Sequence, residues 1–302
     1  MAIDINNARF LIALKRNGID FNEVATIGRQ GLFIPTKLIS ELFSEGGVAP
    51  DKQAQLPDTD MIDFSEPFFQ QLGAKDIATI DFSDYEGATV IHDMNTPVPA
   101  EMQERYRLLI DSGSIEHIFN FPQAIHNYMR MVKTGGYLVL VNMPVNNHAG
   151  HGFFQFSPEL FFNLLVPANG FELKSLMIAS DEPFSKFYSV TSPQKANSRI
   201  ELVGDKAMML FLVAKKIGNV EQITTPVQND YSIAWTKGNA HQTTQKVRSL
   251  KQRVIGIARQ LSLRQYFVFS IQRNEKVRRR RFALTNSALY SEVQIERWKM
   301  SS

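Results

Sequence analysis

The chain has 302 residues, of which 44% are hydrophobic and 21% charged, and its formal net charge is +3. This composition is typical of a globular protein, and no stretch approaches the roughly 20 apolar residues that a membrane-spanning helix needs. The absence of Cys excludes disulfides, thiolate metal ligands and a cysteine nucleophile. The first residues lack a basic segment followed by a long apolar run, so we expect no secretory signal and a cytoplasmic protein.

Short apolar and β-branched runs alternate with helical or loop-like segments from Glu23 to Lys216. This alternation predicts an α/β fold built around a mostly parallel sheet. Seven strands are predicted, in chain order, at residues 24–27, 77–80, 89–91, 108–110, 137–142, 172–178 and 208–214.

Two helices are predicted between these strands, at residues 122–132 and 157–165. The second has Ser157 as N-cap, Pro158 as its first helical residue and Glu159 in the first turn. Residues 46–63 are rich in Gly, Pro and Asp, so we expect a long loop over about residues 44–66.

The last quarter of the chain differs in composition from the rest. From residue 219 the sequence is polar and then basic, and residues 247–261 have the apolar spacing of an amphipathic helix. We therefore expect a domain at 1–218 and a basic, largely helical extension at 219–302.

The extension carries a concentrated positive charge. A solvated helix face is one interpretation, and binding of an acidic partner or a membrane surface is the other. No RNA-binding signature accompanies the charge, so we predict no nucleic-acid partner. The residues concerned are Lys276, Arg278, Arg279, Arg280 and Arg281.

Acidic residues follow three successive predicted strands. Asp81 ends the second strand, Asp93 follows the third, and Asp111 follows the fourth and precedes Glu116-His117. An isolated Asp after a strand is usually a helix cap or turn residue. A carboxylate at a strand tip can also accept both hydroxyls of a ribose in the crevice at the sheet edge. The ordered series favours the second interpretation.

This series, with the Lys-x-Gly-Gly turn that contains Gly135 and Gly136, resembles class I (Rossmann-like) S-adenosylmethionine-dependent methyltransferases. The resemblance extends over about two thirds of the chain. It implies a seven-stranded sheet with an antiparallel last strand, and S-adenosylmethionine as the cofactor. Within the superfamily, the segments around 83–95, 113–124 and 146–162 look like a bacterial subgroup associated with surface-glycan biosynthesis, which is an analogy.

The resemblance also implies roles for individual residues. Asp81 would bind the ribose, Asp93 would lie near the adenine, and Glu116-His117 would face the transferred methyl group. The complete set of cofactor-binding residues implied in this way is Gly28, Arg29, Gln30, Asp81, Phe82, Asp93, Met94, Asp111 and Glu116.

The first-strand turn departs from the family's GxGxG pattern, because it contains Arg29 and Gln30 between Gly28 and Gly31. Gly28 and Gly31 can supply the tight turn that brings backbone close to the cofactor. Arg29 can pair with the cofactor carboxylate, or it can fill the empty site of a protein that has lost catalysis.

Methyl transfer to a hydroxyl or an amine requires an aligned acceptor and a base with a near-neutral pKa. The predicted bases are His151, then His148, then His117, all on loops at the carboxyl edge of the sheet; hydrogen-bonded loop histidines are the alternative. A metal site of His148 and His151 with Asp111 or Glu116 is conceivable, but HExxH-type spacing is absent and we predict no metal centre. The aromatic run at 153–156 fits either an acceptor pocket or core packing.

The function predicted from these observations is S-adenosylmethionine-dependent methylation of a small-molecule or glycan hydroxyl or amine. The alternative is a catalytically silent methyltransferase-like protein that acts as a binding or scaffold partner, which Arg29 and Gln30 would favour. A nicotinamide-dependent enzyme is disfavoured, because GxGxxG is absent.

Overall fold

A computed structural model of the chain describes residues 2–57, 59–231 and 264–301. These residues form two compact units. The first unit consists of Met1–Val190, Lys206–Thr225 and Ser291–Ser302, and the second of Thr191–Asp205 and Pro226–Tyr290. The predicted helix at 247–261 lies outside the described residues.

The fold is α/β, with a sheet of nine strands and a separate pair of short strands, β1 (Ala2–Ile3) and β3 (Gly31–Leu32). The strand order in the large sheet is β11-β9-β8-β10-β7-β6-β2-β4-β5. Its strands are β2 (Glu23–Ile27), β4 (Asp76–Asp81), β5 (Val90–Ile91), β6 (Tyr106–Ser112), β7 (Val132–Asn146), β8 (Phe171–Ser180), β9 (Phe187–Val190), β10 (Met208–Lys216) and β11 (Tyr290–Val293).

Five neighbouring strands, from β5 to β7, pair in parallel. Strand β10 lies between β7 and β8 and is antiparallel to both. All seven predicted strands are therefore present, and the expected antiparallel last strand of that set is confirmed.

The predicted number of seven strands is wrong for the described residues, since β9 and β11 extend the sheet beyond β8. Both are four residues long. Strand β9 is only half-buried at its two central positions, so it lacks the long apolar run that marks the central strands.

Helices of the first unit pack around the sheet. They are α1 (Ile5–Arg16), α2 (Thr36–Glu45), α3 (Glu66–Gln71), α4 (Phe121–Met131) and α5 (Pro158–Leu164), with 3-10 turns at Ala100–Met102, Ile115–His117 and Pro167–Asn169. The two predicted helices correspond to α4 and α5, and Ser157 caps α5 by accepting a hydrogen bond from the Glu159 N–H. Residues 46–65, between α2 and α3, contain no helix or strand among those described, as expected for the long loop.

Helix α1 begins at the N-cap Asp4, whose carboxylate accepts a hydrogen bond from the Asn7 N–H at 2.8 Å. Its apolar face is buried in the main hydrophobic core with residues of α2, α3 and the sheet. The segment before residue 23, for which no element is predicted, therefore belongs to the core.

The end of the chain also belongs to the first unit, so the expected extension at 219–302 is not one continuous piece. Arg16 donates hydrogen bonds to the carbonyls of Ile295 (2.6 Å) and Trp298 (3.1 Å). The Phe10 and Trp298 rings stack with centroids 6.0 Å apart. These contacts hold residues 291–302 against α1, which a change of composition at residue 219 does not reveal.

The second unit contains α6 (Pro193–Ala196) and α7 (Arg264–Arg281). The predicted basic run lies at the end of α7, where Arg278 forms an ion pair with Glu201 at 2.9 Å. Lys276, Arg280 and Arg281 are exposed. Binding of an acidic partner by this run stays a prediction. Within the described part of the chain, no helix has the length and apolar character needed to cross a bilayer.

Candidate functional site

The strand order reverses direction between β2 and β6. From β2 the chain continues to β4 and β5 on one side, and then returns to β6 on the other side of β2. In open α/β sheets, ligands bind at the carboxyl ends of strands at such a switch point. A cavity of about 250 Å³ lies there. Its lining comprises Ile27, Gly28, Ile80, Asp81, Phe82, His92, Asp93, Met94, Asn95, Ser114, His117 and Ile118.

Gly28 forms the floor of this cavity at the end of β2. Its φ of +73° lies in the left-handed region that favours glycine. The Gly28 N–H donates to the Ile80 carbonyl at 2.6 Å, and the Ser114 hydroxyl donates to the Ile27 carbonyl at 2.8 Å. The tips of three parallel strands are thereby tied together around a position without a side chain.

Asp81 presents a carboxylate to the cavity from the tip of β4. Among the described residues, the only hydrogen bond to this carboxylate comes from the N–H of the adjacent Phe82, to Oδ1 at 2.6 Å. Its second oxygen remains available to accept a ligand hydroxyl. The ribose-binding role that the resemblance implies for Asp81 stays a prediction.

Asp93 lies on the opposite wall, in the turn after β5. Its Oδ1 accepts hydrogen bonds from the N–H (2.9 Å) and the Nδ2 (2.8 Å) of Asn95, and these bonds lower the pKa of the Asp93 carboxyl. Asn127, fully buried on α4, donates to the carbonyls of Met94 and Thr96. The turn is therefore fixed with Asp93 ionised and Met94 against the cavity.

Arg29 and Gln30 do not belong to the described residues that line the cavity. Arg29 pairs with Glu66 at 2.7 Å and lies 3.9 Å over the Phe64 ring. Gln30 is buried, and its side-chain amide donates to the Ile27 carbonyl. Both side chains therefore have partners outside the cavity lining, and their role at the cofactor stays a prediction.

Asp111 is likewise not among the described residues that line the cavity, and its predicted role in cofactor binding stays a prediction. It is fully buried, with Oδ2 accepting from the Tyr128 hydroxyl at 2.8 Å and Oδ1 from the Ser114 N–H at 2.7 Å. Burial raises the pKa of this carboxyl to about 6. Asp111 therefore shapes the loop after β6 from behind the cavity.

The raised pKa of Asp111 predicts a pH-dependent stability. The folded protein holds a proton that the unfolded chain, with an ordinary pKa of 3.8, releases. The free energy of unfolding should therefore fall as the pH rises from about 4 through about 6, by on the order of 3 kcal/mol. In urea unfolding across this pH range, the free energy of unfolding should fall less steeply with pH for Asp111→Asn than for wild type. Parallel slopes for the two proteins would contradict the assignment.

Glu116 and three histidines form a cluster beside the cavity. The Glu116 side chain is fully buried, and its Oε1 lies 3.2 Å from Nε2 of His151. The His117 and His151 rings have centroids 5.2 Å apart, and those of His148 and His151 are 5.8 Å apart. The three predicted bases therefore lie together, and His117 also lines the cavity.

The protonation of this cluster follows from burial. Desolvation and the nearby Asp111 raise the pKa of Glu116 to about 8. Desolvation lowers the pKa of both His117 and His151. At neutral pH the two imidazoles are therefore neutral, as a general base must be.

Aromatic side chains lie close to the cluster. Phe153 is 69% exposed and packs edge-on against Phe119, which is 77% exposed, with centroids 6.3 Å apart. Phe156 is buried against Phe121 and Phe161. Phe156 therefore packs in the core while Phe153 faces solvent, and an acceptor pocket at the run 153–156 stays a prediction.

Six cavity residues are not among the predicted site residues, namely Ile27, Ile80, His92, Asn95, Ser114 and Ile118. Ile27 and Ile80 are the last residues of the first two predicted strands. Asn95 and Ser114 each follow a predicted acidic strand tip by two or three residues. Turn positions immediately after each tip are the signal that could have found them. His92 and Ile118 carry no such signal.

No family model matches the chain, and no curated protein matches it. Several solved structures, in contrast, are similar to the chain. One is a Bacillus halodurans C-125 protein described as a putative methyltransferase. It is 12% identical over 69% of this chain and 99% of that chain, with a TM-score of 0.35. A Listeria monocytogenes protein described as a putative S-adenosylmethionine-dependent methyltransferase is 14% identical over 70% of this chain and 98% of that chain, with a TM-score of 0.37.

The Burkholderia thailandensis 1,6-didemethyltoxoflavin-N1-methyltransferase, solved with 1,6-didemethyltoxoflavin and S-adenosylhomocysteine, is also similar. It is 10% identical over 71% of this chain and 78% of that chain, with a TM-score of 0.37.

Proposed function

We propose that this protein is an S-adenosylmethionine-dependent methyltransferase whose acceptor is a hydroxyl or amine of a small molecule or glycan. The observation that carries the proposal is the cavity at the switch point between β2 and β6. It brings together Gly28, Asp81 and Asp93, which are distant in sequence. Gly28 follows β2, Asp81 is the last residue of β4, and Asp93 follows β5.

The cavity offers complementary contacts for a nucleoside. Asp81 has a carboxylate oxygen for the ribose hydroxyls, and the left-handed Gly28 lets backbone approach the ligand closely. The Phe82 ring, which lines the cavity and is 70% exposed, and the buried Met94 provide apolar surface. These contacts support binding of the cofactor's adenosine portion along the edge of β4 and β5.

The histidine cluster supports transfer rather than binding alone. His117 borders the cavity, and His151 is neutral at physiological pH with the buried Glu116 beside it. A neutral imidazole at this position can take the proton of an acceptor hydroxyl as the methyl group is transferred. The exposed Phe119 and Phe153 give an apolar surface on which an acceptor can lie.

The catalytically silent alternative depended on Arg29 and Gln30 filling the site. Arg29 is instead held by Glu66 and Phe64, and Gln30 by the Ile27 carbonyl. The placement of both side chains supports an open cofactor cavity. Formation of S-adenosylhomocysteine in a screen of small-molecule and glycan acceptors would separate a methyltransferase from a binding protein.

Calorimetric titration with S-adenosylmethionine and S-adenosylhomocysteine tests the proposal. Wild type should bind both, and Asp81→Ala should lose charge-assisted hydrogen bonds worth about 1.5–3 kcal/mol, a roughly 10- to 150-fold weaker affinity. Asp84→Ala is the matched control, because Asp84 is an exposed carboxylate three residues away that does not line the cavity. Failure of folded wild type to bind either ligand would refute the proposed function, and equal affinities of the two variants would refute the role of Asp81.

A further inference from the structure

We propose that Glu116, His117 and His151 bind one divalent transition-metal ion at the border of the cavity. The sequence predicts no metal centre, because these residues lack helical HExxH spacing. The fold provides the proximity instead. Glu116 and His117 lie on the 3-10 turn after β6, and His151 lies on the loop after the neighbouring strand β7.

The distances within the cluster suit a shared ion. One potential ligand atom from each residue lies within 4.8 Å of the other two, and Glu116 Oε1 is 3.2 Å from His151 Nε2. Ligands on a common ion at bond lengths of about 2.0–2.2 Å are about 3–4 Å apart. His117 is exposed, so its side chain is free to adjust towards the other two ligands.

A second observation points to a cation. Glu116 Oε2 is buried and has no hydrogen-bond partner among the described residues. An unsatisfied buried carboxyl oxygen is costly, since folding removes it from water without replacing its hydrogen bonds. Through Oε1, the oxygen next to His151, the Glu116 carboxylate would bind the ion, and the positive charge of the ion would offset the cost of burying the carboxylate.

The backbone around Glu116 is held in place from the other loop. The Phe153 N–H donates to the Glu116 carbonyl at 2.7 Å. Gly152 has a φ of +68°, and a Cβ at this position would lie 2.8 Å from both Cγ and the carbonyl oxygen of Glu116. The loop that carries His151 therefore lies directly against Glu116, which fixes the distance between these two ligands.

The ligand set indicates the type of ion. Two imidazoles and one carboxylate suit first-row transition metals such as Zn²⁺, Mn²⁺ or Fe²⁺, whereas Mg²⁺ and Ca²⁺ prefer oxygen ligands. Three protein ligands leave coordination positions open, as in catalytic rather than structural sites. Since His117 also lines the cavity, an acceptor oxygen can reach these positions. That role in acceptor binding rests on the proposed function, but ion binding does not.

Cobalt(II) titration of the chelator-treated full chain, without a histidine tag, tests the proposal by visible absorption. Wild type should bind one equivalent. His117→Ala and His151→Ala should each weaken Co²⁺ binding by about 100-fold or more, because even loss of a residue supporting a ligand costs about 10- to 100-fold. His126→Ala is the control, since His126 accepts a hydrogen bond from Arg130 on α4 outside the cluster. Circular dichroism establishes that every variant is folded.

Absence of Co²⁺ binding by folded wild type would overturn the proposal and leave Glu116 and His151 as a metal-free hydrogen-bonded pair. Unchanged affinity in both His117→Ala and His151→Ala would overturn it as well. Calorimetry with S-adenosylmethionine on the chelator-treated protein separates the two proposals. Cofactor binding without Co²⁺ binding removes only the metal site, and the reverse result removes only the methyltransferase function.

Discussion

Phe10→Ala should lower the free energy of unfolding by about 3–5 kcal/mol, the cost of truncating a fully buried aromatic side chain. Phe10 is completely buried on α1. Its ring centroid lies 6.3 Å from that of Phe187, 5.6 Å from that of Phe211 and 6.0 Å from that of Trp298. One side chain therefore joins α1 to β9, β10 and the chain end.

The expected loss is at the upper end for core substitutions because the surroundings cannot close the gap. Phe211 lies on β10, which is paired on both sides, and Phe187 lies on β9, paired with β8. Hydrogen-bonded strands move little to fill a cavity, so the contacts of the ring are lost rather than replaced.

Urea unfolding followed by circular dichroism measures this effect. Phe82→Ala is the matched control, since Phe82 is 70% exposed and its removal should change stability by less than about 0.5 kcal/mol. If Phe10→Ala costs no more than Phe82→Ala, α1 does not pack in the core as described.

The central strands β6, β7 and β10 could be predicted from sequence because burial dictates their composition. The strand β10 is buried along nearly all its length, and so are the central positions of β6 and β7. Strands covered on both faces must be almost continuously apolar. The short strands β9 and β11 have few buried positions and give no comparable pattern.

Helix α1 was not predicted, for a different reason. Its sequence carries usable signals, because Asp4 is a capping residue and Lys15 and Arg16 fall in its last turn. The family resemblance begins only at Glu23, however, and the residues that carry it are strand tips, so no element is predicted before that residue. The packing of residues 291–302 against this helix depends on contacts such as Phe10–Trp298, which join residues 288 positions apart and leave no local pattern.

In the candidate site, too, some features could be predicted from the sequence and others could not. Positions at strand tips follow from topology, so Gly28, Asp81 and Asp93 could be expected at one edge of the sheet. The partners of a side chain do not follow from topology. Arg29 forms an ion pair with Glu66, 37 positions away, and Asp111 accepts a hydrogen bond from Tyr128.

The largest effect on binding is expected at Gly28. Gly28→Val should abolish binding of S-adenosylmethionine, weakening it by at least about 100-fold, or about 2.7 kcal/mol. The residue lines the cavity at φ +73°, where a branched side chain would occupy space needed by the ligand. The same substitution also strains the backbone, by about 1–2 kcal/mol.

Gly135→Val separates occlusion of the cavity from backbone strain. Gly135 has a similar φ of +86°, and a Cβ there would meet no other atom within 4 Å. Both variants should therefore lose comparable stability in urea unfolding, while only Gly28→Val should lose cofactor binding in calorimetry. Equal loss of binding in the two variants would mean that strain rather than occlusion is responsible. Retained binding in Gly28→Val would place the cofactor away from β2, because a valine at this position leaves no room for a ligand against the strand end.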